Sequence, residues 1–340
     1  MINEHTLSVA PITPPLEHAL ELAQPPGTDV GEEQQPRGLV LAVLGSKGSP
    51  GASECAWSLA ALADRRWPTL LVECDLLGGS LAFRLAADPT VGSLLGVANA
   101  VASSATRELA ELVERWLCGG SRGWPPTLLA PAAAQLTELP LRADALVAAI
   151  DALALMFPLV VCDVGWLLDP ECGAGRCHAA ILERADAQLL VAGSRGPQLI
   201  AARTQLEQLL GPVGLSPTRL RVILNTAGSA VGAADRLERA RFEQDLAAYG
   251  LSIDGVLPVD VGGVVRASRG SRPLVCARRR SGYRGALGQL LEQLFVGSPP
   301  KRRLQRARLR LPATRDAKRA VAVAGVADGL EEVVLPWSSR

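Results

Sequence analysis

Two textures alternate along this chain. Leu39-Val40-Leu41-Ala42-Val43-Leu44 is a short unbroken apolar run ended by glycine, the pattern of a strand covered on both faces of a parallel sheet. The texture returns at Thr69–Cys74, Pro158–Cys162, Ala187–Ala192, Arg219–Leu224 and Ile253–Leu257, and more weakly at Thr127–Ala130. Between these runs, apolar residues recur at helical spacing over Ser53–Ala63, Ala105–Leu117, Arg142–Ala154, His178–Arg184, Gln198–Leu210, Arg236–Tyr249 and Tyr283–Phe295. Strand and helix alternate through most of the chain. This predicts a doubly wound, mostly parallel α/β sheet with right-handed crossovers.

The ends break the pattern. Residues 1–37 hold six acidic residues, one Arg and a scatter of prolines; such a segment buries too little surface to order itself and reads as an arm. Within it Leu16–Leu22 could turn a short helix on a partner. Residues 301–319 hold nine Lys or Arg and one Asp. The division expected is therefore an arm over 1–37, a folded domain over 38–296 and a basic tail over 297–340. Aromatics make up 4% of the chain, so the core must be built from Leu, Val, Ala and Ile. The net charge of +1 argues neither for nor against a polyanionic partner. The start has no basic region followed by an apolar stretch, and no apolar run approaches the ~18 residues of a membrane span. A cytoplasmic location is the expectation. Cys74 and Cys162 fall in strand-like runs, where buried reduced thiols are expected.

The chemistry concentrates after the first strand, in Gly45-Ser46-Lys47-Gly48-Ser49-Pro50-Gly51-Ala52-Ser53. A glycine-rich turn from a strand into a helix can close backbone N–H groups around phosphate oxygens, with the positive end of the helix dipole behind it. Ser53 stands where a hydroxyl would reach the Mg²⁺ of a bound nucleotide. Against the ordinary pattern G-x-x-x-x-G-K-[ST] the match fails twice: Ser46 takes the first glycine position and Ala52 the lysine position. A tight turn without a ligand stays open as the alternative.

Lys47-Gly48-Ser49-Pro50-Gly51-Ala52-Ser53 resembles the deviant phosphate loop of the ParA/MinD family, K-G-G-x-G-K-[ST], and Lys47 matches that family's extra lysine. Glu73-Cys74-Asp75 stands where the family has D-x-D, followed by Gly78-Gly79-Ser80 at its first switch turn. Val160-Val161-Cys162-Asp163-Val164-Gly165 is similar to the strand that ends in the Mg²⁺-associated aspartate and second switch. Asn225 follows the strand run Val222-Ile223-Leu224. Val256-Leu257-Pro258-Val259-Asp260 and Arg266-Ala267-Ser268-Arg269-Gly270-Ser271-Arg272-Pro273-Leu274 resemble the late I-P-x-D … A-x-x-x-G-x-P-[LV] stretch. The likeness covers roughly residues 38–295, and its nearest branch is the CpaE/TadZ and septum-site group.

The resemblance implies a P-loop fold binding ATP and Mg²⁺. Gly48, Ser49, Pro50, Gly51, Ala52 and Ser53 would hold the phosphates, and Ser53 and Asp163 the metal. Lys47 would act across a homodimer and Asp75 would orient the attacking water. Asn225, Pro258 and Asp260 would lie beside adenine. With Ala52 in place of lysine, hydrolysis is expected to be slow or absent. The implied function is a dimeric switch for septum placement, chromosome or plasmid partition, or pilus assembly, with protein partners of such a system. A scaffold that dimerises without nucleotide stays open as the alternative. The basic tail, around Lys301-Arg302-Arg303-Leu304, could touch anionic lipid at the inner membrane face, touch nucleic acid, or stay solvated. Cys162, Cys172, Cys177 and His178 lack the spacing of a zinc site, and no serine-hydrolase elbow occurs.

Overall fold

The structure, a computed structural model, describes residues 37–48, 51–76, 79–85, 87, 94–103, 109–119, 125–130, 142–167, 169, 171–226, 232–278 and 280–295. The arm through residue 36 with its Leu16–Leu22 segment, the tail from 297, Ser49, Pro50 and Gly78 lie outside the described residues.

Eight strands form one sheet in the order β3-β4-β2-β5-β1-β6-β7-β8. They are β1 (Leu39–Gly45), β2 (Thr69–Glu73), β3 (Cys118–Gly119), β4 (Pro126–Leu128), β5 (Leu159–Gly165), β6 (Ala187–Gly193), β7 (Leu220–Asn225) and β8 (Ile253–Leu257). All pair in parallel except the two-residue β3, which runs antiparallel to β4 at the edge. The sheet is the doubly wound one predicted, and each of the seven predicted runs became a strand.

Side chains alternate across the sheet because a strand repeats every two residues. Val40, Ala42 and Leu44 of β1 face one layer, with Leu70, Val72 and Cys162 beside them. Covering that face are α3 (Leu94–Ala102), α4 (Leu109–Trp116), α5 (Ala143–Met156), α6 (Gly173–Arg184), α7 (Gly196–Leu210) and α8 (Ala233–Ala248). Leu41, Val43, Leu71 and Val161 face the other layer, under α1 (Ala52–Ala63), α2 (Leu81–Leu85), α9 (Val261–Arg269), α10 (Leu274–Ala277) and α11 (Gly282–Leu294). Cover on both faces is why the central strands read as continuous apolar runs. All seven cysteines are unbridged, and Cys55, Cys74, Cys162 and Cys177 are buried. No helix among the described residues is long and apolar enough to cross a membrane.

The strand order places the site. β1 lies between β5 and β6, and β2 lies beyond β5. The chain thus winds outward from β1 in one direction through β2 and in the other through β6. Ligands of open α/β sheets bind outside the carboxyl ends of the strands at such a reversal. At the opposite end of β1, Arg37 grips the Asp186 carboxylate at 2.6 and 3.0 Å, and that carboxylate also accepts the Val40 amide at 2.8 Å.

The layer is thin under α8. Of its sixteen residues, Phe242 and Leu246 alone are buried, and Arg203 of α7 pairs with Asp245 and Glu238 around them. Phe242→Ala is therefore expected to cost about 3–5 kcal/mol, the range for deleting a buried aromatic. Urea unfolding of both proteins checks this, and a loss under 1 kcal/mol would show that α8 is held by its ion pairs instead.

Candidate functional site

The site begins where β1 stops at Gly45 and α1 starts at Ala52. Gly51 stands at the N-cap with φ 88° and ψ 25°, the left-handed region, and has no side chain to cap the helix. A Cβ there would lie 2.7 Å from the Asn225 amide nitrogen, so conformation and space both require glycine. The first amides of any α-helix lack intrahelical partners. In α1 they are capped by no side chain, and Gly51, Ala52, Ser53 and Glu54 line an open cavity of about 460 Å³. Gly45, Ser46, Lys47 and Gly48 complete one wall; Asp75, Ser80, Arg84, Gly165 and Trp166 supply the rest. An uncapped helix start opening on such a space can receive an anion.

The strand end and loop are held from below. Ser46 is buried; its amide donates to the Val191 carbonyl at 3.3 Å and its hydroxyl to the Gln198 carbonyl at 3.3 Å. The Gln198 side-chain amide donates to the Gly48 carbonyl at 3.0 Å. Gln198 thus fixes the loop from the first turn of α7. The sequence marks it only as a helix-start residue, and no local signal foretells this contact.

Besides Glu54 on the wall, three carboxylates gather at the ends of β2 and β5, each with a different status. Glu73 is buried at the end of β2; it accepts the Leu81 amide at 2.6 Å and the Ala130 amide at 3.2 Å. Burial pushes its pKa up, the two amides oppose that, and the Asp75 charge adds to the rise. It acts as a brace, setting the start of α2. The signal available was a lone charge closing an apolar strand. Asp75 lines the cavity, with its carboxylate against Gly165. A Cβ on Gly165, whose φ is 72°, would come within 2.5 Å of an Asp75 oxygen. The β2 and β5 ends therefore meet through a residue that must be glycine.

Asp163 is fully buried at the tip of β5. Burial pushes its pKa up to about 7, helped by the charges of Glu73 and Asp75; the Ser53 hydroxyl and Gly165 amide favour the ionised form. The amide reaches Oδ1 at 3.3 Å. Oδ2 has no hydrogen-bond partner among the described residues, and an orphaned buried carboxylate oxygen is costly. An orphan carboxylate oxygen beside the hydroxyl of a cavity-lining serine fits a small hard cation with oxygen ligands. Ser53 and Asp163 thus suit Mg²⁺ as donors.

Lys47 is exposed on the loop, its Nζ 6.0 Å from the centroid of the Trp166 ring, at the outer limit of a cation–π contact. Behind the site His178 lies fully buried; burial holds its pKa down and the Asp75 charge pulls the other way.

Of the residues expected from sequence, Lys47, Gly48, Gly51, Ala52, Ser53 and Asp75 line the cavity, and Asp163 lies beside Ser53. The three expected at an adenine are not among its lining residues. Asn225 abuts Gly51 but does not line the cavity, and Pro258 packs near Gly282. Asp260 caps α9, accepting the Gly263 amide at 2.9 Å, and pairs with Arg278 at 3.2 Å. Burial works to raise its pKa, but the amide and the guanidinium outweigh burial and hold it below the ordinary carboxylate value.

No protein-family model matches the chain, and no curated protein sequence does. Solved structures do. A ParA family ATPase from Chlorobium tepidum superposes with a TM-score of 0.61 at 19% identity, covering 74% of this chain and 98% of its own. The septum site-determining protein MinD of Pyrococcus horikoshii, complexed with Mg-ADP, gives 0.55 at 16%, covering 78% and 99%. MinD in the MinC:MinD complex of Aquifex aeolicus gives 0.54 at 16%, covering 78% and 98%. The fold is that of the ParA/MinD ATPases.

The Asp163 environment has a measurable consequence. Its folded-state pKa of about 7 lies above the ordinary 3.8. The stability it contributes is therefore fully present below pH ~3.8 and is lost as pH rises through ~7. Asparagine carries no such charge. In chelator, Asp163→Asn should be more stable than the wild type at pH 8, by up to about 4 kcal/mol, with the two converging toward pH 4. Urea titrations at several pH values check this; a constant difference across pH would contradict it.

Proposed function

We propose that this chain is a nucleotide-dependent switch that binds ATP with Mg²⁺ and dimerises to position cellular machinery, as in septum placement, partition or pilus assembly. One observation carries the reading: the uncapped start of α1 opens on a cavity lined by Ser53, and behind Ser53 lies the buried Asp163 carboxylate with one oxygen unsatisfied. Phosphate oxygens would accept the free amides of the helix start, and Ser53 and Asp163 would hold the Mg²⁺. When bound, the metal offsets phosphate charge.

The chain's own residues give the switch its logic. Asp75 and Gly165 end different strands and touch across the cavity, so a group filling the γ-phosphate position would bear on both at once. Asp75 has the chemistry to orient a water at that phosphate. Lys47 is exposed at the cavity edge, a placement suited to a phosphate bound by a second copy. Phe83 of α2, next to the cavity-lining Arg84, is 89% exposed, and Trp166 is 40% exposed. Trp166 open to solvent on the cavity lining, and Phe83 exposed on the helix that carries Arg84, favour closure by a partner surface. Asn225 ends β7 pressed against Gly51, a position from which its amide could reach a base beside the bound phosphates.

Ala52 favours a second reading. Its small side chain lines the cavity at 7% exposure and leaves no ammonium for β- and γ-phosphates. A scaffold that dimerises without nucleotide would need no cation there.

Calorimetry with MgATP, run beside light-scattering mass, separates the two. The switch reading expects saturable binding and a mass that doubles with ATP. Lys47→Ala should keep binding within a few-fold while losing the ATP-dependent dimer, and Asp75→Ala should bind normally with turnover reduced further. A constitutive dimer indifferent to ATP would leave the scaffold.

A further inference from the structure

We propose that Arg84 is the phosphate-binding cation contributed in cis by this chain, taking over the work of the lysine missing at position 52. The proposal rests on the nucleotide reading above and names the residue that makes it feasible.

A nucleotide triphosphate brings several negative charges to the cavity. Among the described residues the cations lining it are Lys47 and Arg84. Lys47 belongs to the exposed rim, near Trp166. Arg84 comes from α2, a different element, whose start is set by the Glu73 carboxylate on the Leu81 amide at 2.6 Å.

Arg84 is held at the cavity wall by its neighbour on α1. Its Nη1 donates to Glu54 Oε2 at 2.7 Å. The other oxygen of Glu54 accepts the Leu274 amide at 2.6 Å and the Ser58 hydroxyl at 2.8 Å. A carboxylate pinned by these two other donors fixes the guanidinium in turn. Glu54 directly follows Ser53, so the pair sits on the helix turn whose amides face the phosphates. The Arg84 side chain retains 36% exposure, and among the described residues Glu54 is its recorded side-chain partner. A guanidinium has five N–H donors; one engaged by Glu54 leaves a planar fork suited to phosphate oxygens.

The charges argue in the same direction. Glu54 lines the same cavity, and an unpaired carboxylate there would repel an incoming phosphate. Arg84 cancels that charge and can offer donors to the ligand, two roles that an experiment can separate.

The probe is MgADP, titrated by calorimetry into the full chain, with thermal melts confirming that each variant is folded. Arg84→Ala should weaken binding about 10- to 100-fold, as expected for a lost charge-assisted contact; Arg84→Met, which keeps the aliphatic stem, should lose as much. Combining Arg84→Ala with Glu54→Gln should leave most of the loss in place. Adding Ala52→Lys to Arg84→Ala should restore affinity, and by a larger factor than Ala52→Lys gives in the wild type, because the two cations serve one ligand. A purely structural ion pair would not be rescued by a lysine at position 52. The proposal falls if Arg84→Ala binds within twofold of wild type, or if Glu54→Gln restores it fully, which would reduce Arg84 to neutralising its neighbour. Gly51→Val distinguishes the two levels. If it abolishes binding while Arg84→Ala does not, the nucleotide reading stands and Arg84 is excluded; if the wild type itself binds no MgADP, both fail.

Discussion

The site depends on leaving one helix end unsatisfied. The first amides of α1 have no partners within the helix, and the residue that could have supplied a capping oxygen is a glycine in the left-handed conformation. Buried polar groups are ordinarily paired, so an open end of this kind is tolerated where it faces a space that an anion or water can enter. Everything around it keeps that end in register. β1 is gripped on both sides by β5 and β6, Ser46 is tied to the β6 end, and Gln198 holds the Gly48 carbonyl. The crowding of Asn225 on Gly51 leaves no room for a side chain that would close the turn.

Three acidic residues close together would repel one another if they shared one environment, and they do not. Glu73 spends its two oxygens on backbone amides, which makes it part of the frame. Asp75 is partly exposed at the cavity. Asp163 is buried with one oxygen unsatisfied, and its pKa rises to about 7. That third carboxylate stores the tendency to take up either a proton or a cation. Burial is the dominant cause, because the neighbouring charges act through a site that water does not reach.

Much of this was legible in the sequence. Strands buried on both faces announce themselves by unbroken apolar runs, and β8 fell on Ile253–Leu257 as read. Helix starts were less visible. α6 begins at Gly173, five residues before the predicted His178, because the Cys172 thiol accepts the Gly175 amide as a cap and Gly-Ala-Gly has little apolar period. α3 was not foreseen: Leu94–Ala102 is apolar almost all round, which erases helical periodicity. The glycine-rich turn and Asp75 could be located because each follows a strand end, and Asp163 because it closes the apolar run of β5. The roles of Gln198 and Arg84 could not, and of Glu73 only the charge closing an apolar strand was visible, since their contacts come from elements far apart in the chain meeting at one point. Asp260 shows the converse: a motif position whose visible work is a helix cap and an ion pair.

The central claim is that the turn between Leu44 and Ser53 closes its amides around phosphate. A crystal structure of the full chain grown with Mg-ADP tests it most directly. The account predicts the β-phosphate within hydrogen-bond distance of amides from Gly48 to Ser53, with the metal on the Ser53 hydroxyl. Nucleotide bound elsewhere, or a loop whose amides turn away from the phosphate, would contradict it.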